Sequence, residues 1–181
     1  MEKAEVKITP KNIVDEARDM PWKVAIEPFR VAPRIYYVGN LWVGSFLIDT
    51  EDGLAMIDTT VMEDLYLLID SIRKLRFDPK DLKKILLTHA HMDHDGAARA
   101  LKELTGAEIY LAKEDEDWRH PPEADMSDTG FKIVPYEVDH FYDDNTPIVM
   151  GNVTIHTRLS AGHTPGCTSF FVEMPDEKGG K

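Results

Sequence analysis

His89-Ala90-His91-Met92-Asp93-His94 places three imidazoles and one carboxylate within six residues. A strand would spread the alternate side chains over roughly 13 Å, whereas zinc ligands must converge to about 2 Å from one ion. A helix would place residues two positions apart on opposite flanks. The segment is therefore predicted to be a turn that gathers its side chains around a metal ion, between a strand at 84–88 and a helix that starts at 95. The alternative is a surface loop with chance histidines, but this density of ligand-type residues argues against it.

A further histidine lies in Ser160-Ala161-Gly162-His163-Thr164-Pro165-Gly166. Glycine and proline flank His163 in a predicted loop, and such a loop can hold an imidazole rigidly. On its own, a histidine of this kind is more often a plain turn residue. Because residues 89–94 already supply several ligands, we interpret His163 as the third nitrogen ligand of the same ion.

Composition favours a globular domain that acts on small molecules. The 181 residues are 43% hydrophobic and 30% charged, which is enough for one domain with a sizeable core. The net charge of −12 argues against nucleic acid as a partner, because nucleic-acid-binding proteins need a basic surface. No apolar run is long enough to span a membrane and residues 1–7 lack a signal-peptide core, so a cytoplasmic location is predicted. Cys167 is the single cysteine, which excludes an internal disulfide.

Periodicity divides the chain into an N-terminal extension, residues 1–22, and a domain, residues 23–181. The extension contains a predicted short helix at 12–20. Further helices are predicted at 62–76, from 95 to Gly106, and at 113–118. Predicted strands lie at 35–38, 45–49, 54–57, 84–88, 107–111, 133–138, 147–149, 153–158 and 168–173. Residues 119–130 lack periodicity and are interpreted as a loop near the site.

The pattern H-x-H-x-D-H at 89–94, followed by Gly-His-Thr-Pro-Gly at 162–166, resembles the metallo-β-lactamase superfamily of binuclear metal hydrolases. Asp58 matches an aspartate that closes an early strand in this family. The segments 28–31 and 163–169, and a histidine at 89, look closest to the tri-histidine subclass. The resemblance runs from Phe29 to the last residue and implies an α/β fold, an αββα sandwich that is incomplete at its C-terminus.

The resemblance also implies two zinc ions. His89, His91 and His163 would hold the first ion and leave it an open position, which lowers the pKa of a bound water to near 7. Asp93 and His94 would hold the second ion about 3.5–4 Å away, with a hydroxide bridging both. Asp93, which places the second ion and this hydroxide, is the candidate catalytic residue.

Two other residues are candidates for supporting roles. Asp58 is the candidate for a carboxylate that orients a ligand histidine; the alternative is a strand-ending aspartate that caps a turn. His120 lies in the loop 119–130, where it could contact substrate, although most loop histidines are simply exposed. His140 and His156 lie in strand-like segments, which favours packing or surface roles.

Three functions remain open. The first is a zinc-dependent hydrolase that opens a cyclic amide, as a β-lactamase does. The second is the same chemistry on a lactone or thioester, and the third is a non-catalytic metal-binding protein or an inactive fragment. The positive charge of a two-zinc centre favours a small substrate that carries a carboxylate. The lack of an export signal favours the second function, whereas the resemblance to tri-histidine lactamases favours the first.

The C-terminal residues predict an interrupted hairpin. Residues 168–174 form a predicted strand, and residues 175–180 form a turn without a return strand. In the tri-histidine relatives, a further ligand of the second ion and the residues that grip the substrate carboxylate lie beyond this point. We therefore expect a fragment of a longer hydrolase, with a complete first metal site and an incomplete second one.

Overall fold

The structure of the protein is a computed structural model that describes residues 10–122 and 125–175. Five α-helices lie in this part of the chain: α1 (Pro10–Asp19), α2 (Leu65–Lys74), α3 (Met92–Asp95), α4 (Ala98–Thr105) and α5 (Lys113–Trp118). Ten strands accompany them: β1 (Phe29–Ala32), β2 (Ile35–Tyr37), β3 (Phe46–Thr50), β4 (Gly53–Ile57), β5 (Leu82–Leu86), β6 (Glu108–Leu111), β7 (His140–Phe141), β8 (Ile148–Met150), β9 (Val153–Leu159) and β10 (Thr168–Glu173). None of the described helices has the length and apolar character needed to cross a membrane.

The strands form two sheets. The larger has seven strands in the order β1-β2-β3-β4-β5-β6-β7, antiparallel from β1 to β4 and parallel from β4 to β7. The smaller is an antiparallel sheet of three strands, β10-β9-β8. In the parallel part of a sheet, the carboxyl ends of the strands meet at one edge, where ligands usually bind. The chain leaves β5 at this edge and enters residues 89–94.

Successive side chains of the central strands point to opposite faces of the larger sheet, and both faces are packed. Met56, Ile85 and Ile109 are buried against Leu68 of α2 and Leu101 of α4. The neighbouring residues of the same strands, such as Leu86 and Tyr110, are buried against the smaller sheet. Burying a side chain of this size contributes about 1.5–3 kcal/mol. The described residues thus form a helix layer, a large sheet and a small sheet, and the predicted α/β class is confirmed.

Most predicted elements occur close to their expected positions. The bounds predicted for α5 and β10 agree with the structure, and Gly106 ends α4 with a positive φ of 79°. The amphipathic helix predicted at 62–76 begins as a 3-10 turn, Met62–Asp64, and continues as α2. The predicted turn at 175–180 lies outside the described residues beyond Pro175.

The strand predicted at 133–138 is wrong, because these residues have no regular structure. Pro135 has no N–H to donate to a neighbouring strand. The carbonyl oxygens of Pro135 and Tyr136 accept hydrogen bonds from Arg99 and Arg119 instead. The strand that pairs with β6 on this side is β7, which lies further along the chain.

The single helix predicted from residue 95 to Gly106 is two helices in the structure, α3 and α4, which are separated by a turn at residues 96–97. The turn α3 begins at Met92, so Asp93 and His94 lie on a helical turn, and residues 89–91 alone form the irregular part. Helical geometry places residues 93 and 94 about 100° apart around the axis, and the loop before them supplies the remaining curvature. The 89–94 segment therefore combines a loop with the first turn of a helix.

The N-terminal helix α1 packs on the domain. Ala17 is fully buried in a cluster with Val24, Val61, Met92 and Phe131. Met92 is the first residue of α3, so α1 and the 89–94 segment share one apolar cluster. Residues 1–9 lie outside the described part of the chain.

Candidate metal centre

The three histidines predicted as ligands of one ion converge at the carboxyl edge of the larger sheet. Each offers a ring nitrogen, and the three atoms lie within 4.8 Å of one another. His91 Nδ1 and His163 Nε2 are 2.9 Å apart. His89 is buried, and its Nε2 has no hydrogen-bond partner among the described residues. A buried nitrogen without a partner, facing two converging imidazoles, fits a cation bound by three nitrogens, as in zinc sites with an open fourth position.

A chain of hydrogen bonds sets the tautomer of His89. Thr88 Oγ1 lies 2.8 Å from Asp58 Oδ2, which can only accept, so the hydroxyl donates to Asp58. The same oxygen lies 3.0 Å from His89 Nδ1 and therefore accepts the proton of that ring. His89 Nε2 is then left with a free lone pair. Thr88, which the sequence did not single out, thus connects Asp58 to the candidate ligand.

Asp58 also contacts His94, one of the two residues predicted to hold the second ion. Its Oδ2 lies 2.8 Å from His94 Nδ1, and its Oδ1 accepts the backbone N–H of Thr88 at 2.7 Å. With Nδ1 engaged, His94 Nε2 is the available atom, and it lies 3.6 Å from Asp93 Oδ2. Asp93 and His94 are therefore together beside the three-histidine cluster, whose His89 ring is centred 4.1 Å from that of His94.

Asp93 and His94 offer fewer ligand atoms for a second ion than the three histidines offer for the first. Within residues 10–122 and 125–175, the three histidines form the one group of three or more side chains with converging ligand atoms. Asp93 and His94 offer two ligand atoms.

Electrostatics favour the neutral imidazole at His89 and His91. Burial, and after it the neighbouring imidazoles of His94, His91 and His163, together lower the pKa of His89 to about 3. Burial and His163 likewise lower the pKa of His91. Burial also disfavours the charged form of His94, but the hydrogen bond to Asp58 and nearby carboxylates outweigh it and raise its pKa. Neutral histidines are the form that binds metal.

The remaining histidines lie apart from this cluster. His120 is exposed, its Nε2 lies 3.0 Å from Glu116 Oε1, and it lines a cavity of about 360 Å³ that Ala90 and Met92 also line. His140 and His156 lie in β7 and β9, each with Nε2 3.4 Å from a glutamate.

Sequence comparison places these features in a known family, since residues 43–178 match the sequence model of the metallo-beta-lactamase superfamily. The chain belongs to the metallo-β-lactamase superfamily. Its members are metal-dependent hydrolases, and the resemblance described from the sequence is confirmed.

Solved structures of this superfamily have the same fold. BJP-1 of Bradyrhizobium japonicum, a subclass B3 metallo-beta-lactamase, superposes with a TM-score of 0.80 at 31% identity, over 88% of this chain and 61% of that one. The metallo-beta-lactamase GOB-18 from Elizabethkingia meningoseptica gives 0.80 at 36% identity, over 97% of this chain and 64% of that one.

Curated relatives include other kinds of hydrolase. A probable metallo-hydrolase of Bacillus subtilis, YqgX, is 30% identical over 94 residues, which cover 51% of this chain and 44% of the relative. The N-acyl homoserine lactonase AttM of Agrobacterium fabrum is 29% identical over 121 residues, 61% of this chain and 43% of the relative. The chain spans less than half the length of these curated relatives.

Proposed function

We propose that the protein is a zinc-dependent hydrolase that opens a cyclic amide in a small substrate. The observation that supports this most is the convergence of three imidazoles with His89 Nε2 left without a partner among the described residues. The likeness to metallo-beta-lactamases over 88–97% of the chain, one of them of subclass B3, supports the lactam as substrate.

The residues of the site would have two roles, metal binding and orientation of the metal-binding histidines. His89, His91 and His163 would hold the first zinc ion, and Asp93 with His94 would contribute to a second. Bound zinc supplies an activated water and stabilises negative charge that develops on a carbonyl oxygen. Asp58 holds His94 directly and His89 through Thr88, which keeps both rings in the tautomer that a metal requires.

A lactonase is the second candidate. N-acyl homoserine lactonases match this chain at 29% identity, and a lactone, like a β-lactam, is a cyclic acyl group open to attack by water. The lactam stands first because the superposed metallo-beta-lactamases are 31% and 36% identical to this chain, against 29% for the lactonase AttM.

One set of assays separates the candidates. We expect the zinc-loaded protein to hydrolyse a chromogenic cephalosporin faster than a homoserine lactone or a glutathione thioester. His163→Ala should abolish the reaction, whereas His140→Ala, an exposed histidine outside the cluster, should not affect it. Preference for the lactone or the thioester would favour the alternative hydrolases. Full zinc content with no turnover of any substrate would favour a non-catalytic metal-binding protein.

A further inference from the structure

A buried carboxylate outside the histidine cluster joins the two loops that carry it. Asp115, on α5, has no exposed surface. Its Oδ2 accepts the backbone N–H of Ala90 at 2.8 Å and the hydroxyl of Thr164 at 2.9 Å, and its Oδ1 accepts the backbone N–H of Gly166 at 2.6 Å. All three donors lie in the segments 89–94 and 160–166.

The positions of these donors connect Asp115 to the candidate ligands. Ala90 lies between His89 and His91, and Thr164 directly follows His163. His91 and His163 are 72 residues apart in the chain, so their separation depends on tertiary contacts. A backbone hydrogen bond from Thr168 to Thr88 joins the same two segments at their strand ends, at 2.9 Å. Asp115 provides the second attachment, on the side of the histidines.

The packing at Gly166 shows how closely the second loop approaches this carboxylate. A Cβ at Gly166 would lie 2.6 Å from Asp115 Cγ and from the backbone nitrogen of Asp115. Any side chain there would push the loop away from α5 and carry His163 with it.

We infer that Asp115 is a positioning residue of the metal centre, which sets the distance between the His89–His91 pair and His163. The inference rests on the proposed metal site. A buried carboxylate that accepts three hydrogen bonds holds its donors more firmly than neutral acceptors do. A metal site needs its ligands fixed to within about 0.5 Å, so a change in this distance weakens binding even when every ligand is present.

The direct test is the affinity for zinc, measured by competition with a chromophoric chelator. Asp115→Asn keeps the size of the side chain but turns an N–H₂ group toward N–H or O–H donors. We expect it to weaken binding by about 10–100-fold, the range typical of residues that orient metal ligands. The matched control is Asp117→Asn on the same helix, where the carboxylate is exposed and pairs with Lys113. It should leave the affinity unchanged.

Two variants of Thr164, which change the structure less, test the same inference if Asp115→Asn fails to fold. Thr164→Val removes only the hydroxyl that donates to Asp115 and should weaken zinc binding. Thr164→Ser restores the hydroxyl and should return the affinity to within about threefold of the parent's, since one charge-assisted hydrogen bond is recovered. Cobalt(II) absorption should report the same order, because its visible bands respond to the geometry of the ligands.

A double-mutant cycle separates positioning from general stability. If Asp115 acts by placing His163, the loss of affinity on Asp115→Asn should largely disappear in a His163→Ala background. An equal loss in both backgrounds, or full affinity in both Asp115→Asn and Thr164→Val, would overturn the inference. A parent protein that binds no zinc would instead overturn the proposed function, and the inference with it.

Discussion

At the scale of single residues, the ligand types determine whether an ion is bound, and the residues behind them determine how. His89 is the candidate ligand with the most support from its surroundings, because it is buried and its tautomer is set through Thr88 and Asp58. We expect His89→Ala to remove the most tightly held zinc, since it deletes one of three ligands at a site with an open fourth position. Metal analysis by mass spectrometry checks this, with His140→Ala as control. A His89→Ala protein with the parent's full zinc content would show that the first site is assigned wrongly.

Asp93 is expected to matter for turnover far more than for stability. Its side chain is partly exposed on α3, and its carboxylate lies near His94 Nε2, where both would hold a second ion. Asp93→Ala should lower kcat by more than about 100-fold and change the free energy of unfolding by less than about 1 kcal/mol. Kinetics on the preferred substrate and urea denaturation provide the two measurements. A parental rate would contradict a role for Asp93 in the reaction.

At the scale of elements, the start of α2 contains a buried acid with too few partners. Asp64 accepts a hydrogen bond from Asn40, but its Oδ1 has no partner among the described residues. Burial raises the pKa of Asp64 to about 7; the hydrogen bond from Asn40 opposes the rise, and Glu63 adds to it. The folded protein therefore keeps a proton on Asp64 that the unfolded chain loses near pH 4.

The sign of the resulting pH dependence follows from this difference in proton binding. Between about pH 4 and pH 7 the folded state binds more protons at Asp64, so stability falls as the pH rises through this interval and levels off above it. The loss is of order 2 kcal/mol or more. Asp64→Asn should reduce the slope of this part of the profile without removing it, because burial also raises the pKa of Asp95 to about 7. Asp70→Asn, an exposed acid on the same helix, should leave the slope unchanged. Urea denaturation at pH 5 and pH 8 tests it, and an equal slope in both variants would contradict the prediction.

The elements also show which parts of the structure the sequence could predict. The ligand segments are recognisable because ligand type and spacing are local properties, and the central strands of the larger sheet follow from short apolar runs such as 54–57 and 85–87. The strand predicted at 133–138 is wrong because these residues pair with no neighbouring strand: Pro135 has no N–H, and its carbonyl and that of Tyr136 accept hydrogen bonds from arginine side chains. Asp115 gave no signal, because α5 has four consecutive acids, Glu114 to Asp117, and only tertiary packing determines which one is buried.

At the scale of the whole molecule, the candidate metal centre connects the two sheets. His89 and His91 follow β5 of the larger sheet, whereas His163 lies between β9 and β10 of the smaller one. An ion bound by all three histidines would cross-link layers that otherwise meet through apolar packing and a few hydrogen bonds. Metal binding should therefore stabilise the entire fold, in addition to ordering a loop.

This cross-link predicts a large effect of zinc on thermal unfolding. A ligand that binds only the folded state at 100 times its Kd adds about 2.7 kcal/mol, which for a domain of this size raises the Tm by roughly 5–12 °C. We expect this increase when zinc is added to chelator-treated protein, followed by circular dichroism. His163→Ala should lose most of the increase, because the remaining ligands all follow β5 and cannot bridge the sheets. His140→Ala should keep it. The same increase in His163→Ala would mean that the ion is held by the 89–94 segment alone and that the smaller sheet takes no part in the site.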